Sequence, residues 1–512
     1  MEKRSTADKI GTFFGILAGL AGVIIGVNSS FQVQEIATPR PGFSSHCQTS
    51  LPFCILATER AATTFSEAIK LAEKLHPEAG RVVFKHENPE SCLEELIEKK
   101  PYFAMIFICP DELDVNVAWK WLLTTTRLDS DPFVDIRSGF ITGQTPEAAT
   151  SFMQRIIDLH EGRLQLPGKL IDNLGGNTEM GKGDFNVMPG SFMIPVFTRR
   201  VGLETISHGT QGFSKERLSS MKGAGILHFG GHGYPDRIVD TLNGVYVRKL
   251  EISPSIVFNG ACYTGVTGRW FDITSGILKE QTVSPEVCFA LGILENQVAS
   301  YLAALHPDHG IPVYQEMECL AWSGAALGDI IKYTHDGVVI ANGGKMPDIS
   351  PVSHGMQADQ IPAQIMLKGT ASRILFGDPS LTPIASFTPP PFKFSISESG
   401  ESSLTVSATL ENLELKSTYT NTYAAGNSAD IPFNDRALLC FELPAGWTEI
   451  KSVDILSITA SDKPIAGTLT GFAVEHDQGK NLAHIQVDLP ANGYMTGSFR
   501  QKDAAIVLKI QR

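Results

Sequence analysis

The chain has 512 residues, too many for one ordinary hydrophobic core, so two or three domains are expected. Hydrophobic residues make up 43% and charged residues 19%, a globular composition that leaves no case for wholesale disorder. A formal net charge of −13 without a dense Lys/Arg cluster argues against a nucleic-acid binder, and eight cysteines without a CxxC pair or a Cys/His zinc spacing argue against a disulfide scaffold or a zinc module.

After Met-Glu-Lys-Arg, the stretch Ile10 to Val27 is 18 residues without a charge. That is long for the core of a signal peptide and just long enough to span a bilayer. Gly15 and Gly19, then Gly22 and Gly26, repeat the small-xxx-small spacing of packed membrane helices. Lys3, Arg4 and Lys9 lie before it, which orients the rest of the chain across the membrane. Residues 1–30 are therefore expected to be a signal or membrane-anchor segment, and the protein to be exported, whether anchored or released. A buried soluble helix is the competing reading. Residues 31–50, rich in Ser, Pro, Thr and Gln, read as a linker.

Beyond it strands and helices alternate. Phe53–Ala57 reads as a strand and Ala62–Leu75 as a helix. Arg81–Phe84 reads as a strand, and Pro89–Glu98 as a helix with proline in its first turn. Tyr102–Cys109 is a continuous apolar run, the pattern of a strand buried on both faces. Pro146–Leu159 reads as a helix capped by Thr145. A strand near Met193–Phe197, the segments Gly225–His232 and Ser255–Cys262, a strand at Gln297–Ala304 and a helix at Gly324–Thr334 continue the series. Such alternation implies an α/β fold with a mostly parallel sheet flanked by helices over residues 51–388, in two subdomains of about 51–165 and 166–388. The style changes at Pro389–Pro391. Period-two runs at Phe392–Ile396, Leu404–Leu410, Leu438–Leu443, Val453–Ile458, Ala483–Leu489 and Ala504–Ile510 predict an antiparallel β-sandwich over 392–512, of immunoglobulin-like size. Cys54, Cys92, Cys109, Cys288, Cys319 and Cys440 lie in or beside apolar runs and are expected to be inert core thiols. Cys47 and Cys54 could pair in an oxidising compartment.

Two of these segments carry chemistry. Gly225-Ile-Leu-His-Phe-Gly-Gly-His-Gly233 ends in His232, and Ser255-Ile-Val-Phe-Asn-Gly-Ala-Cys262 ends in Cys262, 30 residues later. That spacing suits one strand–crossover–strand unit, so an imidazole and a thiol would emerge side by side at a sheet edge, where α/β proteins bind ligands. An imidazole next to a thiol can generate the thiolate needed for nucleophilic attack. Backbone N–H groups of Gly233 and Cys262 are the natural oxyanion donors, since glycine lets the backbone approach a substrate carbonyl. Tyr301 on the following strand and His306 in the loop His306-Pro-Asp-His-Gly310 are expected to wall the pocket. A metal site on His228 and His232 is the weaker reading, because no third ligand presents itself. No cofactor is called for.

An apolar block ending in His-Gly followed by one ending in Ala-Cys resembles the caspase-like clan of cysteine peptidases, and within it the gingipain family. The supporting segments are Asp131-Pro-Phe-Val-Asp-Ile-Arg-Ser-Gly139, Gln144-Thr-Pro-Glu-Ala148, His228-Phe-Gly-Gly-His-Gly233, Asn259-Gly-Ala-Cys262 and Leu375-Phe-Gly-Asp-Pro-Ser-Leu381. The resemblance covers residues 50–388 and extends to the trailing sandwich, which matches the family's immunoglobulin-like appendage. It implies a cysteine endopeptidase with a His232–Cys262 dyad, an oxyanion hole at Gly233 and Cys262, and a protein or peptide substrate. Asp184 is the candidate carboxylate for a basic substrate side chain. A transpeptidase using the same dyad for protein attachment or maturation is one alternative, and a non-catalytic scaffold or interaction protein is another.

Overall fold

The computed structural model describes residues 46–47, 50–174, 203–207, 215–238, 242–273, 276–308, 313, 316–317, 319–320, 325–357, 370–384, 392–398, 400, 402–410, 435–460, 463–489 and 505–512. The apolar segment 10–27, the strand expected near Met193–Phe197, and Asp184 lie outside them.

The strands of the main sheet in chain order are β1 (Phe53–Thr58), β2 (Gly80–Phe84), β3 (Phe103–Phe107), β4 (Arg137–Ile141), β5 (Lys169–Leu174), β6 (Glu204–Ser207), β7 (Ile226–Phe229), β8 (Ser255–Asn259), β9 (Val298–Ala304) and β10 (Arg373–Phe376). They form one ten-stranded sheet in the order β2-β1-β3-β4-β10-β9-β8-β7-β5-β6. Neighbouring strands are parallel except β9 and β10, which run antiparallel. The sheet is thus two parallel halves of opposite direction, joined where β10, the last strand in sequence, pairs with β4 on one side and β9 on the other. Residues 51–165 and 166–388, expected as two subdomains, share this sheet.

Local chemistry sets the helices around it. Among the described residues the longer helices are α1 (Glu59–Thr64), α2 (Ser66–Leu75), α3 (Leu93–Lys99), α4 (Val115–Thr125), α5 (Pro146–His160), α6 (Lys215–Ser220), α7 (Phe289–Leu294) and α8 (Leu327–Ala341). Thr145 caps α5 by accepting from the Ala148 N–H at 3.2 Å, with Pro146 next, where its missing N–H is harmless. The same helix buries Ala149, Phe152, Met153, Ile156 and Ile157, a stripe at helical spacing. The helix expected at Ala62–Leu75 is two helices, because buried Phe65 adopts a non-helical backbone conformation between them. That expected at Pro89–Glu98 opens as a 3₁₀ turn over Pro89–Cys92. Helix α8 runs seven residues beyond the expected Thr334, and α4 has no amphipathic stripe to read, because nearly all of it is buried.

The C-terminal segment forms two antiparallel sheets. Strands β11 (Phe392–Glu398), β12 (Ser403–Leu410), β13 (Asp435–Glu442), β14 (Ser452–Ala460), β15 (Thr468–Asp477), β16 (Lys480–Leu489) and β17 (Ala505–Gln511) pair as β11-β12-β17-β14, with the short Lys463–Pro464 beside β14, and as β13-β16-β15. Inward side chains such as Leu404, Val406, Leu439, Ile485, Ile506 and Leu508 fill the space between them. Alternation turns Cys440 outward, correcting the expectation of a core thiol; Cys319 is half-buried, while Cys54, Cys92, Cys109 and Cys288 are buried. Cys54 is a free thiol, which leaves the Cys47–Cys54 pairing without support. The sandwich packs on α8: Lys332 pairs with Glu475 at 2.6 Å, and Arg137 of β4 pairs with Asp477 at 2.6 Å. Pro41–Arg512 is accordingly one compact unit. Among the described residues no helix is long and apolar enough to cross a membrane.

Candidate active site

The register of two adjacent strands builds the site. In the β7–β8 pair, Ile226 faces Ile256, Leu227 faces Val257, His228 faces Phe258 and Phe229 faces Asn259. All of these residues are buried, so a one-residue slip would move every side chain to the wrong face. The Gly260 N–H donates to the Phe229 carbonyl at 2.9 Å, continuing the pairing one step past the strand ends. His232 and Cys262 each lie three residues past the last registered pair, in the loops that follow two neighbouring strands.

The tip carrying Cys262 is held from several sides. The Asn259 side chain accepts from the Ala261 N–H at 2.9 Å and donates to the Tyr301 hydroxyl at 2.9 Å. That hydroxyl donates in turn to the Thr264 carbonyl at 2.8 Å. Tyr263, directly after the cysteine, has a φ of 60°, a backbone conformation uncommon outside glycine, and its buried ring is anchored by a hydroxyl bond to the Phe271 carbonyl at 3.1 Å. Across from it, the Gly233 backbone lies against the Cys262 peptide. A Cβ at 233 would sit 2.3 Å from the Cys262 carbonyl oxygen and 2.8 Å from the Ala261 Cβ. Glycine is therefore required here for contact with the cysteine peptide itself, whereas the sequence had suggested contact with substrate.

His232 is exposed, and Cys262 is partly exposed. The thiol donates to the Asp308 carbonyl at 3.1 Å, and the Asp308 N–H points back at the sulfur at 3.4 Å. Among the described residues, these are its hydrogen-bond partners. Burial pushes the thiol up to about 11, with the Asp308 N–H opposing the rise. A sulfur in this state is a neutral thiol at rest and a poor nucleophile.

A buried ion cluster lies behind it. Arg373, fully buried at the start of β10, donates to the Asn259 carbonyl at 3.0 Å and to the Asp308 carboxylate at 2.7 Å. Its other donors grip Glu316 at 2.5 and 2.7 Å. Burial pushes the Glu316 carboxyl up, and Arg373 opposes that shift. Neither Asp308 nor Arg373 was singled out from the sequence. The available signal was Arg373 itself, an arginine inside the apolar run Ala371–Phe376.

Other expected site residues fall elsewhere. Tyr301 and His306, expected to wall a substrate pocket, are both fully buried. Tyr301 braces the cysteine tip from inside the sheet, and His306 lies edge-on to the Trp119 and Tyr263 rings, with centroids at 5.4 and 6.1 Å. β7 ends at Phe229, so His228 is buried within the sheet and His232 is exposed beyond it, and the two do not share one strand face. The Gly-Asp-Pro-Ser segment is a structural knot. Asp378 accepts from His76 and His160 at 2.9 and 3.2 Å, and from the Ser380 N–H and hydroxyl at 2.8 Å each. Those two histidines hold its carboxyl well below the usual carboxylate range in spite of its burial.

No protein-family model matches the sequence, and no curated protein matches it. Among solved structures, the chain is similar to a protease at 12% identity and a TM-score of 0.45, covering 86% of this chain and 93% of that one. It is similar to the Arg-specific cysteine proteinase gingipain R at 10% identity and a TM-score of 0.44, covering 90% and 97%. A complex of the pro- and mature domains of the Porphyromonas gingivalis gingipain gives 10% identity and 0.46, covering 89% and 98%. Likeness at this level assigns no activity.

Proposed function

We propose that the protein is a cysteine peptidase in which Cys262 attacks a peptide carbonyl and His232 moves the proton. The observation that supports this most directly is that the two residues follow paired neighbouring strands at the same offset, with the Gly233 backbone against the Cys262 carbonyl. In the attack the thiol proton passes to the imidazole as sulfur bonds to the carbonyl carbon. The C–N bond then breaks, the amine leaves with that proton, and a thioester remains. Water attacks the thioester carbon, gives a proton to His232, and expels the sulfur, which recovers its proton. The N–H groups of Gly233 and Cys262 are the donors we assign to the oxyanion. The sulfur has to leave the Asp308 carbonyl first, since a thiolate has no hydrogen to donate there.

Residues 10–27 are the basis for placing the protein among exported or membrane-anchored proteins, and the two antiparallel sheets are the basis for an immunoglobulin-like reading of the C-terminal part. A thiol-directed acyloxymethyl ketone probe tests the enzymatic reading. Labelling is expected in the wild type and lost in Cys262→Ala. No labelling of the wild type, or labelling that persists in Cys262→Ala, would put the non-catalytic scaffold ahead. A peptide library scanned at the position before the cleaved bond would then define specificity.

A further inference from the structure

We infer that Asp308 and Arg373 are positioning residues for the Cys262 thiol: the buried guanidinium fixes the Asp308 main chain over the sulfur and thereby holds the nucleophile in a parked orientation. The inference rests on the peptidase reading of Cys262 and adds two residues that the dyad does not include. Three contacts converge on it. The Asp308 carbonyl accepts the thiol hydrogen at 3.1 Å, and its N–H faces the same sulfur at 3.4 Å, so the main chain of one residue contacts the thiol twice. The side chain of that residue is tied down by Arg373 at 2.7 Å, with neither partner exposed. Arg373 also holds the Asn259 carbonyl at 3.0 Å, three residues before the cysteine. One guanidinium therefore fixes both the strand end that carries the sulfur and the loop that occupies it. Two further donors, on Nε and Nη2, go to Glu316, which leaves it anchored if either of the other links loosens.

The two halves of the clamp act differently on the two forms of sulfur. A thiol satisfies both the carbonyl and the N–H. A thiolate keeps the N–H and faces the carbonyl oxygen without a hydrogen between them. The carbonyl half thus favours the neutral, immobile form, as does burial, while the N–H half opposes it. Among the described residues, the ionisable groups near the sulfur include Asp308, with Arg373 and Glu316 behind it, and Tyr263 next in the chain, with Tyr234 and Asp272 beyond.

The test is alkylation of the full chain by iodoacetamide across pH, with the Cys262 peptide quantified by mass spectrometry so that the exposed Cys440 does not interfere. Asp308→Ala is expected to alkylate at least tenfold faster at pH 8, with its midpoint moved from about 11 toward the ordinary thiol value. A full return to that value would raise the thiolate fraction about 100-fold. Arg373→Lys keeps the charge but loses the fork, and an intermediate acceleration is expected. Should Asp308→Ala not fold, Asp308→Asn preserves the packing and answers the same question. A purely structural role would lower the melting temperature and leave the alkylation midpoint in place. Folded variants with the wild-type rate and midpoint would overturn the inference. Peptide cleavage measured on the same samples separates it from its premise. Faster alkylation without cleavage in any variant would reject the peptidase and leave the clamp; cleavage with unchanged alkylation would do the reverse.

Discussion

The substitution Gly233→Ala probes the tightest contact between the two strand tips. The added Cβ would lie 2.3 Å from the Cys262 carbonyl oxygen, 2.8 Å from the Ala261 Cβ and 2.9 Å from the Thr264 Cγ2. Ordinary contacts between such atoms need roughly 3.5 Å, so the tips must part by about 1 Å. Overpacking of this kind costs about 1–3 kcal/mol, and a displacement of about 1 Å at a reacting group lowers turnover about 100-fold. Denaturant unfolding and turnover of the best library peptide measure the two effects separately. Adding Thr264→Ser removes the Cγ2 contact and keeps the hydroxyl that donates to the Ala261 carbonyl at 2.7 Å. It leaves the carbonyl clash in place, so the double variant should regain less than half of the lost stability. Wild-type stability and turnover in Gly233→Ala would mean that the tips stand further apart than this structure has them, and the dyad would lose its geometric support.

Other substitutions test other parts of the molecule. His232→Ala, at an exposed position, should change stability by less than about 0.5 kcal/mol and lower turnover by about 10²–10⁴-fold, read from kcat/KM together with a denaturation curve; near-normal hydrolysis would reject the acid–base role. Buried His335 is pushed down to about 4, chiefly by burial, and its Nε2 donates to the Arg373 carbonyl at 3.0 Å. Because its folded-state value lies below the unfolded one, its contribution is complete above about pH 6.5 and is lost as pH falls toward 4. The loss is about 3 kcal/mol. Urea unfolding at pH 7 and pH 4.5 should show that loss in the wild type and a smaller one in His335→Gln; equal losses would refute the assignment. Asp378→Asn replaces a carboxylate that accepts from two buried histidines and should cost about 3 kcal/mol by the same method, whereas a cost below about 1 kcal/mol would contradict the knot.

Much of the scaffold was legible because burial leaves a periodic trace. Phe103–Phe107 reads as a strand buried on both faces, and it is. The Thr145–Pro146 start of α5 announced itself through capping chemistry that acts over four residues. Helix α4 gave no such trace because it is covered on almost every side, and β10 was missed because its four residues gain their meaning only from the strands on either side. Cys440 lies in an apolar run yet occupies an outward position next to inward Leu439, because alternation along a strand outweighs the character of its neighbours.

For the candidate site the division is sharper. The sequence alone determined that a histidine and a cysteine follow two apolar strands at a fixed spacing, since hydrophobic patterning and chain length are local properties. Only the folded chain decided that Tyr301 and His306 lie behind the site, that Asp308 occupies the thiol, and that Arg373, over a hundred residues from the cysteine, holds them together. The physical reason is that the energy of a buried charge or a sulfur hydrogen bond depends on partners brought together by strand order, and strand order is set by the packing of the whole sheet rather than by any one of its segments.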